Sequence, residues 1–582
     1  MWLPALVALL VSAVVRAWVL HDLRAADPLL VRPYLDDRYY LEMAGQMAQG
    51  TAVPWFLAPL HPWIAARASA FATLDLGLLC TVNLVAGALT SAVVAAIGAR
   101  LAGARAAWAA GLAHALLGVF VFHDVLPGQE PWIGLATAVV VLLTLALAEG
   151  AGPATAAGLG VAVGVAALGR GTSLALLLVP LPVFVGSKRR LALLLACVAG
   201  LCVTLAPAAL RNHSVEGVWS PFPWSGGPNL YLGNGPDSRA TVSMTDGRLG
   251  ADPYAIERNA LRVASAESGR ELTPREASAW WTARTLEEAR HSGDLALHVL
   301  RKAALFVGAD ERGSNHAAHA ERDFATYTSF VPVAGWWLLA VGVAGWWIAR
   351  RRHPGVDAPL LAIVATGLGT LVFFPVDRYR APALVAAVPL VTVGVAETWR
   401  AWRLGLSRRV VVALVIAFGA AVIAHVPVRE PDLAAGHVAV ALGHLDQEGP
   451  TGTRGVEQLR RALDLDPDCG PANELLARID LSRGLATDAF PKLQRAALDR
   501  RSRYSSQVAA VQALIMLGQP REAWRVAQGL LHERDDDPEL LANAALAAHR
   551  SGDGAAAAGL AAAARRLAPG HPAVQRLDAL LR

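Results

Sequence analysis

Long apolar runs separated by short polar breaks fill the first 430 residues of this 582-residue chain. Eleven of them approach the ~20 residues an apolar helix needs to cross a bilayer. They lie at roughly 2–20, 76–99, 106–122, 131–148, 154–168, 172–186, 191–210, 330–349, 358–374, 381–397 and 409–427. The stretch 154–186 reads either as one long helix or as two short ones broken at Arg170 and Gly171. Charge decides between them. The clusters Arg100/Arg105, Lys188/Arg189/Arg190, Arg350/Arg351/Arg352 and Arg400/Arg403/Arg408/Arg409 fall on one face only if the stretch is two helices, as the positive-inside rule requires. The amino terminus is then cytoplasmic and the carboxyl terminus outside. The first run lacks a basic start and a small-residue cleavage site with a soluble domain behind it, so it reads as a retained span.

Two polar stretches, 21–75 and 211–329, become outer loops in this frame. In the first, Tyr40, Met43, Ala44 and Met47 form one stripe of a short helix after Asp36. Residues 57–71, with Pro59, Pro62 and Trp63, read as a second helix along the membrane surface. In the long loop, Thr273-Pro274-Arg275-Glu276 is a capping box that predicts a helix over 274–290. A further helix is expected over 294–307. Gly226, Gly227, Gly233 and Gly235, with Asn229 and Asn234, read as tight turns. His316 and His319 lie in the polar return 308–323 without ligand spacing, which favours no metal reading there.

After residue 430 the pattern becomes Ala- and Leu-rich with helical periodicity. Gly484, Gly518 and Gly552 recur at intervals of 34, each followed five residues later by Ala489, Ala523 or Ala557. That is the tetratricopeptide pattern: about three and a half helix–turn–helix units from roughly 433 to 569, with 572–582 as a capping helix. The expected fold class is all-α. A polytopic membrane bundle of about eleven spans with amphipathic outer-loop helices occupies 1–427, and a repeat solenoid occupies 433–582.

Composition adds exclusions. The chain is 54% hydrophobic with a formal net charge of +5. Its arginine clusters sit beside apolar runs, where topology explains them, so no nucleic-acid partner is implied. Cys80, Cys197 and Cys202 lie in apolar runs and Cys469 stands alone, which supports neither a disulfide framework nor a zinc site.

The polar groups that topology leaves unexplained gather on the outer face: Asp36 and Asp37, Glu130 in the loop 122–132, Arg170 between the two half-helices, and Arg378 and Arg380 before the tenth span. Each has an ordinary reading. Aspartate favours helix starts, Glu130 beside Pro131 can cap a helix, and arginines anchor at interfaces. Together they suit group transfer at the membrane surface, with a carboxylate base and guanidinium forks for a phosphate.

The segments DDRYYLEMAGQMAQG, PLHPWIAA, PGQEPW, AALGRGTSLALLLVPLPVF, GGPNLYLGNGPD and RYRAPALVAAVPL run in family order along residues 1–400. On them the chain resembles the C-type membrane glycosyltransferases, the superfamily of the protein O-mannosyltransferases and the aminoarabinose transferase of lipid A. The likeness is to the bacterial branch with tetratricopeptide repeats. Leu57 stands where the aminoarabinose transferase has a lysine, so that donor-phosphate contact is missing or supplied by an arginine. The resemblance implies a polyprenyl-phosphate-linked sugar donor, attacked on the outer face of the cytoplasmic membrane, and an acceptor that is a lipid, glycan or protein. Asp36 is then the expected base. Asp37 and Glu130 orient the acceptor or hold a divalent metal ion, and Arg170, Arg378 and Arg380 bind the donor phosphate. The repeat domain, expected on the outer side, would hold an acceptor or a protein partner. The competing classes are a transporter, which should show repeat symmetry and broken helices at the midplane, and an anchor that only displays the repeats. Convergence of Asp36, Glu130 and Arg170 on one cavity separates the readings.

Overall fold

The computed structural model describes residues 2–236, 238, 249–250, 252–291, 294–311, 313–428, 432–449 and 452–581. Among these residues there is no strand, and the chain is all-α. They fall into two compact units, one running to residue 428 and the other starting at Asp432.

Among the described residues of the first unit, six helical segments are long and apolar enough to cross a membrane: Trp2–Ala26, Leu76–Ala102, Glu130–Ala148, Arg190–Glu216, Pro354–Val372 and Asp377–Arg403. The other apolar runs are shorter or broken helices. The expected span 106–122 is two helices, Ala104–Leu116 and Gly118–His123. The chain leaves helical geometry at Leu117 (φ −69°, ψ 126°), where the Gly118 backbone packs against the Pro332 carbonyl. The stretch 154–186 is split at Arg170, as charge parity demands: Pro153–Gly169 ends there with Arg170 extended (φ −159°, ψ 114°). Beyond the break the chain forms a 3-10 helix, Gly171–Leu178, and a short α-helix, Leu181–Gly186. Pro180 and Pro182 deny this half the hydrogen bonds of one continuous α-helix.

The basic clusters and the carboxylates occupy opposite helix ends. Arg100 pairs with Glu149 at the end of Glu130–Ala148 remote from Glu130. Asp377–Arg403 carries Arg378 at one end and Arg400 at the other, on the order of 30 Å apart at 1.5 Å per residue.

The long loop 211–329 shares a small core with the first loop and the segment before Asp377. Phe56, Trp224, Tyr231, Val263, Ala277, Trp281, Phe374 and Val376 pack together, and the buried Trp281 indole donates to the Ala260 carbonyl at 2.9 Å. The capping box forms: Glu276 accepts from the Thr273 N–H at 2.8 Å and starts the helix Pro274–His291. The helix Leu295–Val307 follows. The segment read as tight turns is instead a helix, Gly226–Asn234. Its glycines serve close approach. A Cβ on Gly227 would lie 1.9 Å from the Ser278 carbonyl oxygen, and one on Gly233 would lie 2.2 Å from that of Phe373.

The second unit is a run of antiparallel helix pairs: Leu433–Glu448 with Thr453–Leu465, Gly470–Ser482 with Ala486–Ala496, Arg503–Met516 with Pro520–Glu533, and Pro538–Ser551 with Gly554–Leu567, then Pro572–Leu581. Gly484, Gly518 and Gly552 make the turns within pairs at φ +80°, +74° and +98°, a left-handed geometry glycine adopts without a Cβ penalty. Ala489, Ala523 and Ala557 are buried where the helices cross.

Candidate active site

The site begins at a strained residue. Leu35, before the helix Asp36–Ala48, has φ 44° and ψ −117°, a region costly for a side chain with a Cβ. The turn makes Asp36 and Asp37 the first two helical residues. Successive helical positions point about 100° apart, so the adjacent carboxylates meet different partners.

Asp36 Oδ2 accepts from Arg378 Nη2 at 2.8 Å. The same guanidinium lies 3.8 Å from Glu130 Oε1, and that oxygen accepts from Arg170 Nη2 at 2.8 Å. Arg170 also stacks on Tyr379, its Cζ 3.7 Å from the ring centroid. Thus Asp36, Arg378, Glu130 and Arg170, from four separate segments, form one continuous network of two carboxylates and two guanidiniums. All four side chains are less than one-fifth exposed. Arg378 Nε has no hydrogen-bond acceptor, so the network has donor capacity to spare.

The surrounding residues hold this arrangement. Asn83 Nδ2 donates to the Leu126 and Gly128 carbonyls at 2.7 and 2.9 Å, fixing the loop before Glu130. Gln129 Nε2 donates to the Ala58 carbonyl at 2.9 Å. A Cβ on Gly128 would stand 2.6 Å from Glu130 Oε2, so the carboxylate keeps its position because residue 128 has no side chain. Asp124 is buried and committed elsewhere: Arg16 of the first long helix donates to its Oδ2 from Nη2 at 2.7 Å and from Nε at 3.0 Å. Beside Arg170 a narrow crevice runs between Thr137, Thr172, Ser173, Thr366, Thr370 and apolar side chains; of the network's four residues, Arg170 alone lines it.

Two expected residues face other partners. Arg380 pairs with Glu311 and donates to the Gly308 carbonyl at 2.6 Å, tying down the return of the long loop. Asp37 is fully buried, and its Oδ2 lies 2.8 Å from His316 Nε2. Burial pushes the Asp37 carboxyl above its ordinary pKa, and His316 opposes that shift. His316 Nδ1 in turn lies 2.5 Å from Glu321 Oε2. Burial disfavours the charged ring, but Glu321 and Asp37 together push its pKa well above the ordinary value. Asp27 completes the group: the nearest ligand atoms of Asp27, His316 and Glu321 lie within 4.8 Å of one another. Local spacing favours no metal at His316 and marks neither Glu321 nor Asp27. Only Asp37 carried a signal, because partners 279 positions apart leave none in local spacing.

No family model and no curated protein matches the chain. Among solved structures, the archaeal oligosaccharyltransferase AglB from Archaeoglobus fulgidus, in complex with an inhibitory peptide and a dolichol-phosphate, is similar at 15% identity and a TM-score of 0.36. The match covers 77% of this chain and 59% of that one. Its apo form matches with a TM-score of 0.38 over 79% of this chain and 59% of that one, also at 15% identity. The chain thus spans about three-fifths of the oligosaccharyltransferase. YrrB, a tetratricopeptide-repeat protein with an unusual peptide-binding site, is similar at 13% identity and a TM-score of 0.22, over 32% of this chain and 89% of that one.

Proposed function

We propose that the first unit is a membrane glycosyltransferase that moves a sugar from a polyprenyl-phosphate donor to an acceptor hydroxyl at the outer face of the cytoplasmic membrane. The observation that carries this reading is the network Asp36–Arg378–Glu130–Arg170, in which a carboxylate suited to act as a base lies beside two guanidiniums. An anchor needs no such network.

In the reaction, Asp36 takes the proton of the acceptor hydroxyl as its oxygen attacks the anomeric carbon. The bond from that carbon to the donor phosphate oxygen breaks, and polyprenyl phosphate leaves with the electron pair. It needs positive charge rather than a proton, because its pKa is already low. Arg170 and Arg378 supply that charge, and Glu130 holds both guanidiniums in place until the donor arrives. Base and leaving group stand on opposite faces of the sugar, so configuration inverts. Arg380, committed to Glu311, positions the loop rather than the phosphate.

The test is lipid analysis of a deletion strain complemented with wild type or with Asp36→Asn. This change keeps the size of the side chain but removes the base. Polyprenyl-phosphate sugar is expected to accumulate in both the deletion and the Asp36→Asn strain, with turnover about 10²–10⁴-fold lower in membranes and the protein inserted normally. Normal transfer by Asp36→Asn would overturn the assignment.

A further inference from the structure

Behind the network lies a second group of ionisable side chains that the transfer chemistry does not use. Asp27, Asp37, His316 and Glu321 come from three segments: the end of the first long helix, the start of Asp36–Ala48, and the return of the long outer loop. Asp27 and Asp37 are fully buried, Glu321 is 1% exposed and His316 9%. Three carboxylates around one imidazole leave excess negative charge in a dry place, and a buried charge is costly unless it is paired.

The hydrogen bonds leave buried carboxylate oxygens of Asp27 and Asp37 without a donor. Asp27 Oδ1 caps the next turn by accepting from the Leu29 N–H at 2.9 Å, but its Oδ2 has no donor. Glu321 Oε1 accepts from the Ala317 N–H, and its Oε2 faces His316 Nδ1. On its other side the imidazole meets Asp37 through Nε2. Both ring nitrogens thus face a carboxylate; with the proton on Nε2 toward Asp37, Nδ1 becomes a bare donor atom, as in carboxylate–histidine–metal triads.

We propose that Asp27, His316 and Glu321 bind a divalent transition-metal ion, with Asp37 holding His316 in the ligating tautomer. The ligands are then Asp27 Oδ2, His316 Nδ1 and Glu321 Oε2, and the proton on Nε2 goes to the hydrogen bond with Asp37. The two carboxylates match the charge of the ion. One imidazole among them suits Zn²⁺ or Mn²⁺ better than Mg²⁺ or Ca²⁺, which favour all-oxygen shells. The ion ties the loop return to the first helix and so fixes the ends of the segment bearing Asp36. This inference stands on these residues alone and not on the transfer reading.

The experiment uses the purified full-length protein in detergent, stripped with a chelator and dialysed separately against Zn²⁺ and Mn²⁺. Metal per chain is counted by mass spectrometry, and Tm is followed. The expected result is about one equivalent of Zn²⁺ or Mn²⁺ per chain and a Tm raised by several degrees, since a ligand bound only to the folded state stabilises it by mass action. Asp27→Asn, Glu321→Gln and His316→Gln should each lose the equivalent. Asp37→Asn should keep the stoichiometry but weaken affinity about 10–100-fold, the usual share of an outer-shell carboxylate. Asp36→Asn should bind metal as wild type does, so loss of transfer and loss of metal are separable. If His316→Gln does not fold, Asp27→Asn decides, because it keeps the capping oxygen. Substoichiometric metal in the wild type, or unchanged binding in Asp27→Asn and Glu321→Gln, would overturn the proposal.

Discussion

Asp36 and Asp37 are neighbours in sequence with unlike surroundings. One is bonded to the Arg378 guanidinium, and the other is sealed against an imidazole. Exchanging them should therefore not be neutral: Asp37→Asn is expected to lower transfer through loss of the His316 geometry, and its defect should ease with added Zn²⁺, whereas that of Asp36→Asn should not. Gly128→Ala tests the geometry of Glu130. The new Cβ meets only the far end of the Glu130 side chain, at 2.6 Å. Stability should change by less than about 1 kcal/mol, read as a small shift in Tm, while transfer falls because the carboxylate is displaced from Arg170. Lys302 is fully buried and donates to Asn234 Oδ1 at 2.6 Å and to the Leu371 carbonyl at 3.2 Å. Lys302→Met strands those acceptors and should cost about 1–3 kcal/mol, read as a lower Tm. At this scale the sequence exposed Asp36, Glu130, Arg170 and Arg378, because each is a polar group that the membrane pattern does not explain. It hid Asp27, His316 and Glu321, because an aspartate at a helix end and a histidine in a polar loop look ordinary until the chain folds back on itself.

Helices were legible wherever the physics is local. The capping box at Thr273 and the break at Arg170 follow from capping and charge parity and appear in the structure, whereas of the eleven apolar runs six are helices long enough to cross among the described residues. The helix Gly226–Asn234 was not legible, because its glycines answer to neighbours 51 and 140 positions away rather than to a local turn. The same logic governs the crossing of Pro153–Gly169 with Arg190–Glu216. A Cβ on Gly160 would lie 1.9 Å from the Cys197 carbonyl oxygen, and one on Gly200 would lie 2.0 Å from that of Ala157. In a membrane, helices associate through such close packing of small residues. Gly160→Leu should force this pair apart and lower Tm by more than Gly158→Leu, whose added carbon meets only the Leu143 side chain at 3.6 Å. Thermal unfolding of the two variants in one detergent checks the order.

For the chain as a whole, an odd number of crossings would put both the carboxyl terminus and Asp36 outside. A periplasm-active reporter fused after Arg582 should be active and a cytoplasm-active one silent. The reverse would mean that one of the shorter helices does not cross. The repeat unit makes a different kind of statement. Its left-handed glycines recur every 34 residues, and each turn buries the same small alanine five positions later. Stability in such an array is close to a sum of units and nearest-neighbour contacts. The array therefore behaves like a tape measure with removable divisions. Excising the 34 residues 485–518 joins two equivalent turns and should leave a folded solenoid one step shorter, whereas removing 30 or 38 would join unlike points and unravel it. The reach of this part of the molecule can change by whole steps while every remaining joint keeps its shape.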